Sequence, residues 1–207
     1  MYKKGFTLAE ILIALTLIGV IAALTLPGLI GDTQHRDIST SIKKAYNTLN
    51  NAYGMIYIDH YNADKWATSQ ANVHNLLAEQ MQTIGYHQND TYILSSDGIS
   101  YQYTSISADC TGSATNDPTA ATQPENPEDP ETPEEDDSQT ISNYCGTMTI
   151  NIKGENNFND RPGIKTFAFY LTNTGFIPYG GKGTAYTSPS LFVTGQVIYD
   201  GDFRYLN

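Results

Sequence analysis

The chain has 207 residues, with 22 carboxylates against 11 lysines and arginines, for a formal net charge of −11. So acidic a protein repels phosphate, which tells against nucleic acid as the partner of the whole chain, although Lys43 and Lys44 leave room for a local basic patch. About 150 residues beyond an N-terminal anchor suffice for one core and leave no space for a second enzyme-sized domain.

The chain opens Met1-Tyr2-Lys3-Lys4-Gly5-Phe6-Thr7-Leu8-Ala9-Glu10 and runs straight into an apolar stretch from Ile11 to Leu26. A secretory signal peptide carries small residues in an A-x-A arrangement after its apolar segment. Here Pro27-Gly28-Leu29-Ile30-Gly31 follows instead, so the processing point that the residues offer lies ahead of the run, between Gly5 and Phe6. The apolar segment then stays on the mature protein. Phe6 to Ile30 exceeds the roughly 20 helical residues that span a hydrocarbon core. Lys3 and Lys4 place the N-terminus in the cytoplasm and the remainder outside. Glu10 is the only charge inside the segment. A carboxylate in hydrocarbon costs on the order of 2.5–3.5 kcal/mol and normally has a partner. Glu10 therefore reads either as an interfacial residue near the head groups or as half of an intermolecular ion pair. Its partner would be the α-amino group that cleavage after Gly5 exposes on Phe6 of a neighbouring copy.

Gly-Phe-Thr-Leu-x-Glu ahead of an apolar run resembles the N-terminus of type IV pilins and of the pseudopilins of type II secretion systems. The resemblance implies cleavage by prepilin peptidase between Gly5 and Phe6, N-methylation of Phe6, and pairing of Glu10 with that amine during assembly. It also places Gly19 and Pro27 where related pilins carry helix-loosening residues, and Pro27, lacking an N–H, predicts a kink in any case. The organisation it implies is a leader at 1–5, a transmembrane and filament-core helix at 6–30, and a periplasmic or extracellular pilin-like head at 31–207. The partners implied are prepilin peptidase, other pilins or pseudopilins in a homo- or hetero-oligomeric filament, an inner-membrane assembly platform, and membrane lipid before assembly. The location implied is a single-pass inner-membrane protein that later enters a periplasmic or cell-surface filament. The resemblance covers residues 1 to about 30 closely, is weaker to about 60, and is architectural beyond.

Past Pro27 the residues Ile38, Ile42, Ala45, Tyr46, Leu49, Ala52, Tyr53 and Ile56 recur at intervals of three and four, an apolar stripe at helical period. A helix from Phe6 to about Ile58 would be apolar all round in its first half and amphipathic in its second, as a helix packed on one side of a domain must be. Trp66 to Ile84 carries Val73, Leu76, Leu77, Met81 and Ile84 at helical spacing, with Gly85 to end it. Strands are expected at Tyr92–Leu94, Ile99–Ile106, Thr147–Ile152, Lys165–Leu171 and Leu191–Tyr199. In the fourth, Phe167, Phe169 and Leu171 share one face with period two, the mark of a half-buried strand. Strands joined by turns argue for an antiparallel sheet, and the fold class is α+β: a long hydrophobic N-terminal helix packed by its second half on a small sheet.

Residues 112–139 are rich in Pro, Glu and Asp, hold no aromatic residue, and lie within a stretch from Lys65 to Lys153 without a single intervening Lys or Arg. Such composition cannot bury enough apolar surface to offset its ordering entropy and reads as a disordered surface loop. Calcium coordination needs converging oxygens in fixed geometry, which a Pro-Glu run does not supply. Cys110 and Cys145 bracket this loop. With the head outside the cytoplasm an even pair points to a disulfide; the other reading is two thiols in a reducing compartment. Ile150-Asn151-Ile152-Lys153-Gly154, then Asn159-Asp160-Arg161-Pro162-Gly163 and Phe167-Ala168-Phe169-Tyr170, resemble the strand, polar loop and aromatic strand of pseudopilin heads. Asn151 stands where those carry Asp, which weakens a calcium site, and the segment reads as a hairpin with a long connection. Gly175 to Ser190 reads as a surface loop or partner contact.

No catalytic residues, cofactor or metal site are expected. His35, His60, His74 and His87 lack zinc-site spacing, and no G-x-S-x-G elbow, phosphate loop or dinucleotide fingerprint is present. The functional expectation is a structural pseudopilin or minor pilin of a type II secretion or type IV pilus filament, serving protein secretion, retraction or adhesion. The bulky acidic insertion favours a minor subunit, since it would crowd a densely repeated lattice. The alternative is a tip adhesin, a ligand-binding minor pilin.

Overall fold

The computed structural model describes residues 7–84, 91–105, 107, 109–116, 139–180, 189–201 and 203–206. Helix α1 spans Leu8–His60. It is followed by α2 (Ala63–Trp66) and α3 (Gln70–Gln80), then by strands β1 (Ile93–Leu94), β2 (Ser100–Ser105), β3 (Gly112–Asn116), β4 (Gln139–Asn151), β5 (Thr166–Thr172) and β6 (Gly175–Pro178). A short helical turn, α4 (Val193–Gly195), continues into a π-helical turn at Gln196–Asp200, and a 3₁₀ turn covers Arg204–Leu206. The fold is α+β. All strand pairs are antiparallel, in the order β1-β2-β4-β5-β6, with β3 pairing the N-terminal part of β4. Two compact units divide the chain, Met1–Asp37 and Ile38–Asn207.

In the second unit the helical stripe does what its spacing demands. Ile42, Ala45 and Leu49 are wholly buried, and Ile38, Ala52, Tyr53 and Ile56 nearly so. They pack with Tyr101, Tyr103, Met148, Ile150, Phe167, Phe169 and Leu171 from the sheet and with Trp66, Val73 and Leu77 from α2 and α3. The opposed pairs Met148–Phe169 and Ile150–Phe167 carry this face across β4 and β5, and Tyr46 stacks on Phe169 with centroids 5.9 Å apart. Polar groups of α1 set the registration. Asn50 accepts from the Phe176 N–H at 3.2 Å, and the Tyr53 hydroxyl donates to the Asn173 carbonyl. Gly175 between them has φ +132°, and a Cβ there would lie 3.0 Å from Asn50 Oδ1, so the β5–β6 turn demands glycine.

Strand β5 is buried on both faces along its length, against the half-buried strand expected. A second cluster of Ile141, Tyr144 and Tyr170, with Ile177 and Tyr179, covers its other side. There Tyr179 stacks between Tyr170 at 3.9 Å and Phe192 at 5.4 Å, and Thr147 Oγ1 lies 2.6 Å from both the Tyr144 and the Tyr179 hydroxyls.

Three further differences from expectation have local causes. Leu191–Tyr199 is helical, not a strand. Thr194 Oγ1 accepts from the β5 N–H of Ala168 at 3.1 Å and so caps the sheet edge with a side chain. Gly195 lies so close to the Gly180 carbonyl that no Cβ fits between them. The expected helix 66–84 is shortened to α3, because Ser69 caps it at the N-terminus, accepting from the Asn72 N–H, and Gln82–Ile84 turn away to pair with Leu94–Ser96. The expected loop 112–139 is shorter at both ends, since Gly112–Asn116 pair with Gln139–Tyr144; residues 117–138 lie outside the described residues.

Cys110 and Cys145 are joined in a disulfide across 35 positions. A bulge falls at Cys145, between the Tyr144 and Gly146 pairings of β4 with β5, and both cysteines are buried. In the chain-entropy account, a closed loop of this length contributes about 4 kcal/mol. Cys110→Ser should therefore lower the melting temperature by roughly 10 °C in oxidising buffer and hardly at all under reduction. Equal melting of parent and variant under oxidation would show that the bond does not stabilise the head.

Candidate functional site

The site singled out by sequence is the N-terminal motif. Gly5 and Phe6 lie outside the described residues. Glu10 sits in the first turn of α1, where Oε2 accepts from both the N–H and the hydroxyl of Thr7 at 2.8 Å, while Thr7 Oγ1 accepts from the Glu10 N–H at 3.3 Å. This reciprocal pair is a capping box: each side chain satisfies a backbone donor that the start of a helix leaves open. It turns the carboxylate back towards the chain's N-terminal end. Both bonds from Thr7 go to Oε2. The T-x-x-E spacing of Thr7 and Glu10 is the sequence signal for this, and the motif-level reading passed over Thr7.

Leu8–Thr25 is long and apolar enough to cross a membrane, and none of it is buried. Ten large apolar side chains between Leu8 and Leu24 are exposed, and covering each is worth about 1.5–3 kcal/mol. A deficit of that size favours an external cover. The polar groups along the segment need none: Thr16 donates to the Ile13 carbonyl at 2.9 Å and Thr25 to the Ile21 carbonyl at 3.0 Å, as hydroxyls in lipid do. The helix runs through Gly19 and Pro27. Nothing approaches within 4 Å of a Cβ placed at Gly19, whereas the side chains of 26–32, Pro27 among them, lie outside the described residues.

Residues 1–26 match the family described as a prokaryotic N-terminal methylation motif. This is the signature of type IV pilins and pseudopilins. Comparison with curated proteins and with solved structures yields no match. The signature implies processing by prepilin peptidase and assembly with other pilins, and together with the exposed apolar helix it fits a membrane-anchored pilin. It marks a structural class of protein that is usually not enzymatic.

In the head, the β4–β5 connection holds a charge cluster that the sequence reading did not assemble. Asn151 Nδ2 donates to the Asn157 carbonyl at 2.8 Å and Oδ1 accepts from the Lys153 N–H at 2.9 Å, which folds the loop onto itself. The Lys165 ammonium lies between two carboxylates, 2.7 Å from Asp160 Oδ2 and 3.0 Å from Glu155 Oε2. A tethered cation therefore holds the oxygens of this loop together. Among the described residues no three His, Cys, Asp or Glu side chains are grouped to hold a metal. Of the histidines, His74 is fully buried and its Nε2 accepts from the Tyr103 N–H of β2 at 2.9 Å, beyond the end of the short β1. It covers a strand edge.

The Lys165 hydrogen bond holds the Asp160 carboxyl below its ordinary pKa, and its bonds to Asp160 and then Glu155 hold Lys165 above its own. A depressed carboxylate stabilises the fold above its unfolded pKa and loses that effect as pH falls through the folded value; a raised ammonium stabilises below its unfolded pKa and loses it as pH climbs past the folded one. Lys165→Met should therefore lower the urea midpoint most between about pH 5 and pH 10, with the gap to the parent closing at either extreme. A gap independent of pH would assign the effect to packing of the lysine stem.

Proposed function

We propose that this chain is a structural subunit, a pseudopilin or minor pilin, of a type II secretion or type IV pilus filament. The observation that carries the reading is the methylation motif over residues 1–26 on a helix whose apolar circumference has no cover among the described residues of its own unit. Prepilin peptidase cleaves between Gly5 and Phe6 and methylates the new amino group. Lys3 and Lys4 hold the N-terminus in the cytoplasm, and the acidic head, with its disulfide, lies outside. Lipid covers Leu8–Thr25 first, and neighbouring stems replace it on assembly.

The capping box refines the role of Glu10. Thr7 survives cleavage, so its two bonds to Oε2 persist in the mature protein and keep the carboxylate aimed at the N-terminal end. The Phe6 ammonium of a neighbouring copy meets it there. A salt link in a water-poor setting between partners of fixed register decides how far one stem slides along the next, and it relieves the cost of carrying a carboxylate among apolar neighbours.

Mass spectrometry of the protein from cells with an active prepilin peptidase should place the N-terminus at Phe6 with one added methyl group. An intact Met1 there would overturn the processing assignment, and Gly5→Val should block cleavage, since a β-branched side chain obstructs close binding of the backbone. Glu10→Gln should insert and be cleaved normally but enter filaments at a level roughly tenfold lower, the equivalent of ~1.4 kcal/mol. Normal incorporation would make the carboxylate an interfacial residue and a helix cap only.

A further inference from the structure

The connection between β4 and β5, residues 152–165, has the composition of a cation-binding loop, with Glu155, Asp160 and three asparagines. The resemblance of this segment to pseudopilin heads raises calcium as the ion that closes it. We propose that the Lys165 ammonium is the built-in cation of the loop, standing where a divalent ion would sit. The head then keeps its fold without calcium, and removing the lysine turns the loop into a calcium site. The proposal rests on the head alone and is independent of the filament assignment.

The geometry is that of a cation with its ligands. Lys165 directly precedes β5, and its carbonyl accepts from the Ile152 N–H at 2.9 Å, which ties it to the end of β4. Its side chain is 19% exposed. An ammonium has three donors. Here they meet three carboxylate oxygens: Asp160 Oδ2 at 2.7 Å, Glu155 Oε2 at 3.0 Å and Glu155 Oε1 at 3.2 Å. One compact charge thus draws two carboxylates from different parts of the loop together, the task that a bound calcium performs in such segments.

The donor set does not fit calcium while the lysine is present. Calcium takes roughly six to eight oxygens, and the oxygens near the two carboxylates already hold donors. Ser100 Oγ donates to the Glu155 carbonyl at 2.8 Å and Thr166 Oγ1 to the Asp160 carbonyl at 3.1 Å. The Arg161 carbonyl accepts from the N–H groups of Ile164 and Lys165 at 3.0 and 2.9 Å. Asn157 Oδ1 accepts from the Asn159 N–H at 3.2 Å, and Asn151, where a carboxylate would strengthen a calcium site, spends its amide within the loop. Charge agrees. Arg161 Nε lies 3.9 Å from Asp160 Oδ1, so two carboxylates face two fixed cations and present a divalent ion with no net negative field.

Taking the ammonium away inverts this. The bonds from Ser100 and Thr166 hold the backbones of Glu155 and Asp160 and owe nothing to the Lys165 side chain. Two hard, uncompensated carboxylates would remain side by side, and water completes a calcium shell readily.

The test follows thermal unfolding of the full-length protein in detergent micelles, in EGTA and in calcium at about 5 mM. The parent should melt within about 1 °C of the same temperature in both. Lys165→Ala should melt lower than the parent in EGTA and recover by about 4 °C in calcium, and adding Glu155→Gln should abolish the recovery. Lys165→Arg, which keeps the charge, should be indifferent to calcium. Magnesium, which demands stricter geometry and gives up its waters reluctantly, should restore little. A parent stabilised by calcium, or a Lys165→Ala protein equally unstable in both solutions, would overturn the proposal. So would recovery that survives Glu155→Gln, which places the ion elsewhere, or recovery by magnesium equal to that by calcium, which reduces the effect to screening.

Discussion

Apolar side chains ring the whole circumference of Leu8–Thr25, and among the described residues of their own unit nothing covers them. A helix in that condition is stabilised where lipid or other helices replace water, which fits a membrane-anchored pilin, and its polar groups are consistent with that constraint. The hydroxyls of Thr16 and Thr25 bond back to their own helix. The one carboxylate is placed at the first turn, where the open N–H groups of the helix start attract negative charge. Glu10 thus has a local reason to be at this position as well as the proposed intermolecular one, and the two do not conflict: the bonds from Thr7 use Oε2 alone.

The same helix obeys a different rule in the second unit. From Ile38 to Ile56 one apolar stripe is buried against β4, β5 and the short helices, with Tyr46 only partly covered, while Met55 and Ile58 lie off it and are exposed. The head is therefore organised around a single helix lying on a sheet, with Val193 of α4 joining that core and the tyrosine cluster covering the sheet's far face. Two devices limit the consequences of inserting an acidic segment between β3 and β4. The ladder of Gly112–Asn116 on Gln139–Tyr144 holds its ends side by side, and the Cys110–Cys145 bond anchors that ladder at its base.

Edges receive comparable care. His74 satisfies the Tyr103 N–H beyond β1, Thr194 satisfies the Ala168 N–H beside β6, and a rung at Gln82–Ile84 extends the β1 side. Open strand edges invite pairing between chains. A subunit of the proposed filament, packed among other pilins, gains from having its contacts confined to surfaces meant for them.

What the sequence by itself determined follows from short-range rules. The anchor, its carboxylate and its flanking lysines are contiguous, and the stripe Ile38–Ile56 declares itself by spacing, because a helix turns at a fixed rate. The T-x-x-E cap was equally legible and needed only Thr7 to be read with Glu10. Tertiary structure alone decided the rest. Leu191–Tyr199 alternates like a strand, yet the close approach of Gly195 to Gly180 and the capture of Ala168 by Thr194 make it helical. Lys165 meets Glu155 and Asp160 only when the loop closes, and Gln82–Ile84 leave their helical pattern because Leu94–Ser96 offer a ladder. In each case the deciding contact joins residues with no regular spacing between them, and no periodicity along a chain encodes a partner that folding brings from elsewhere.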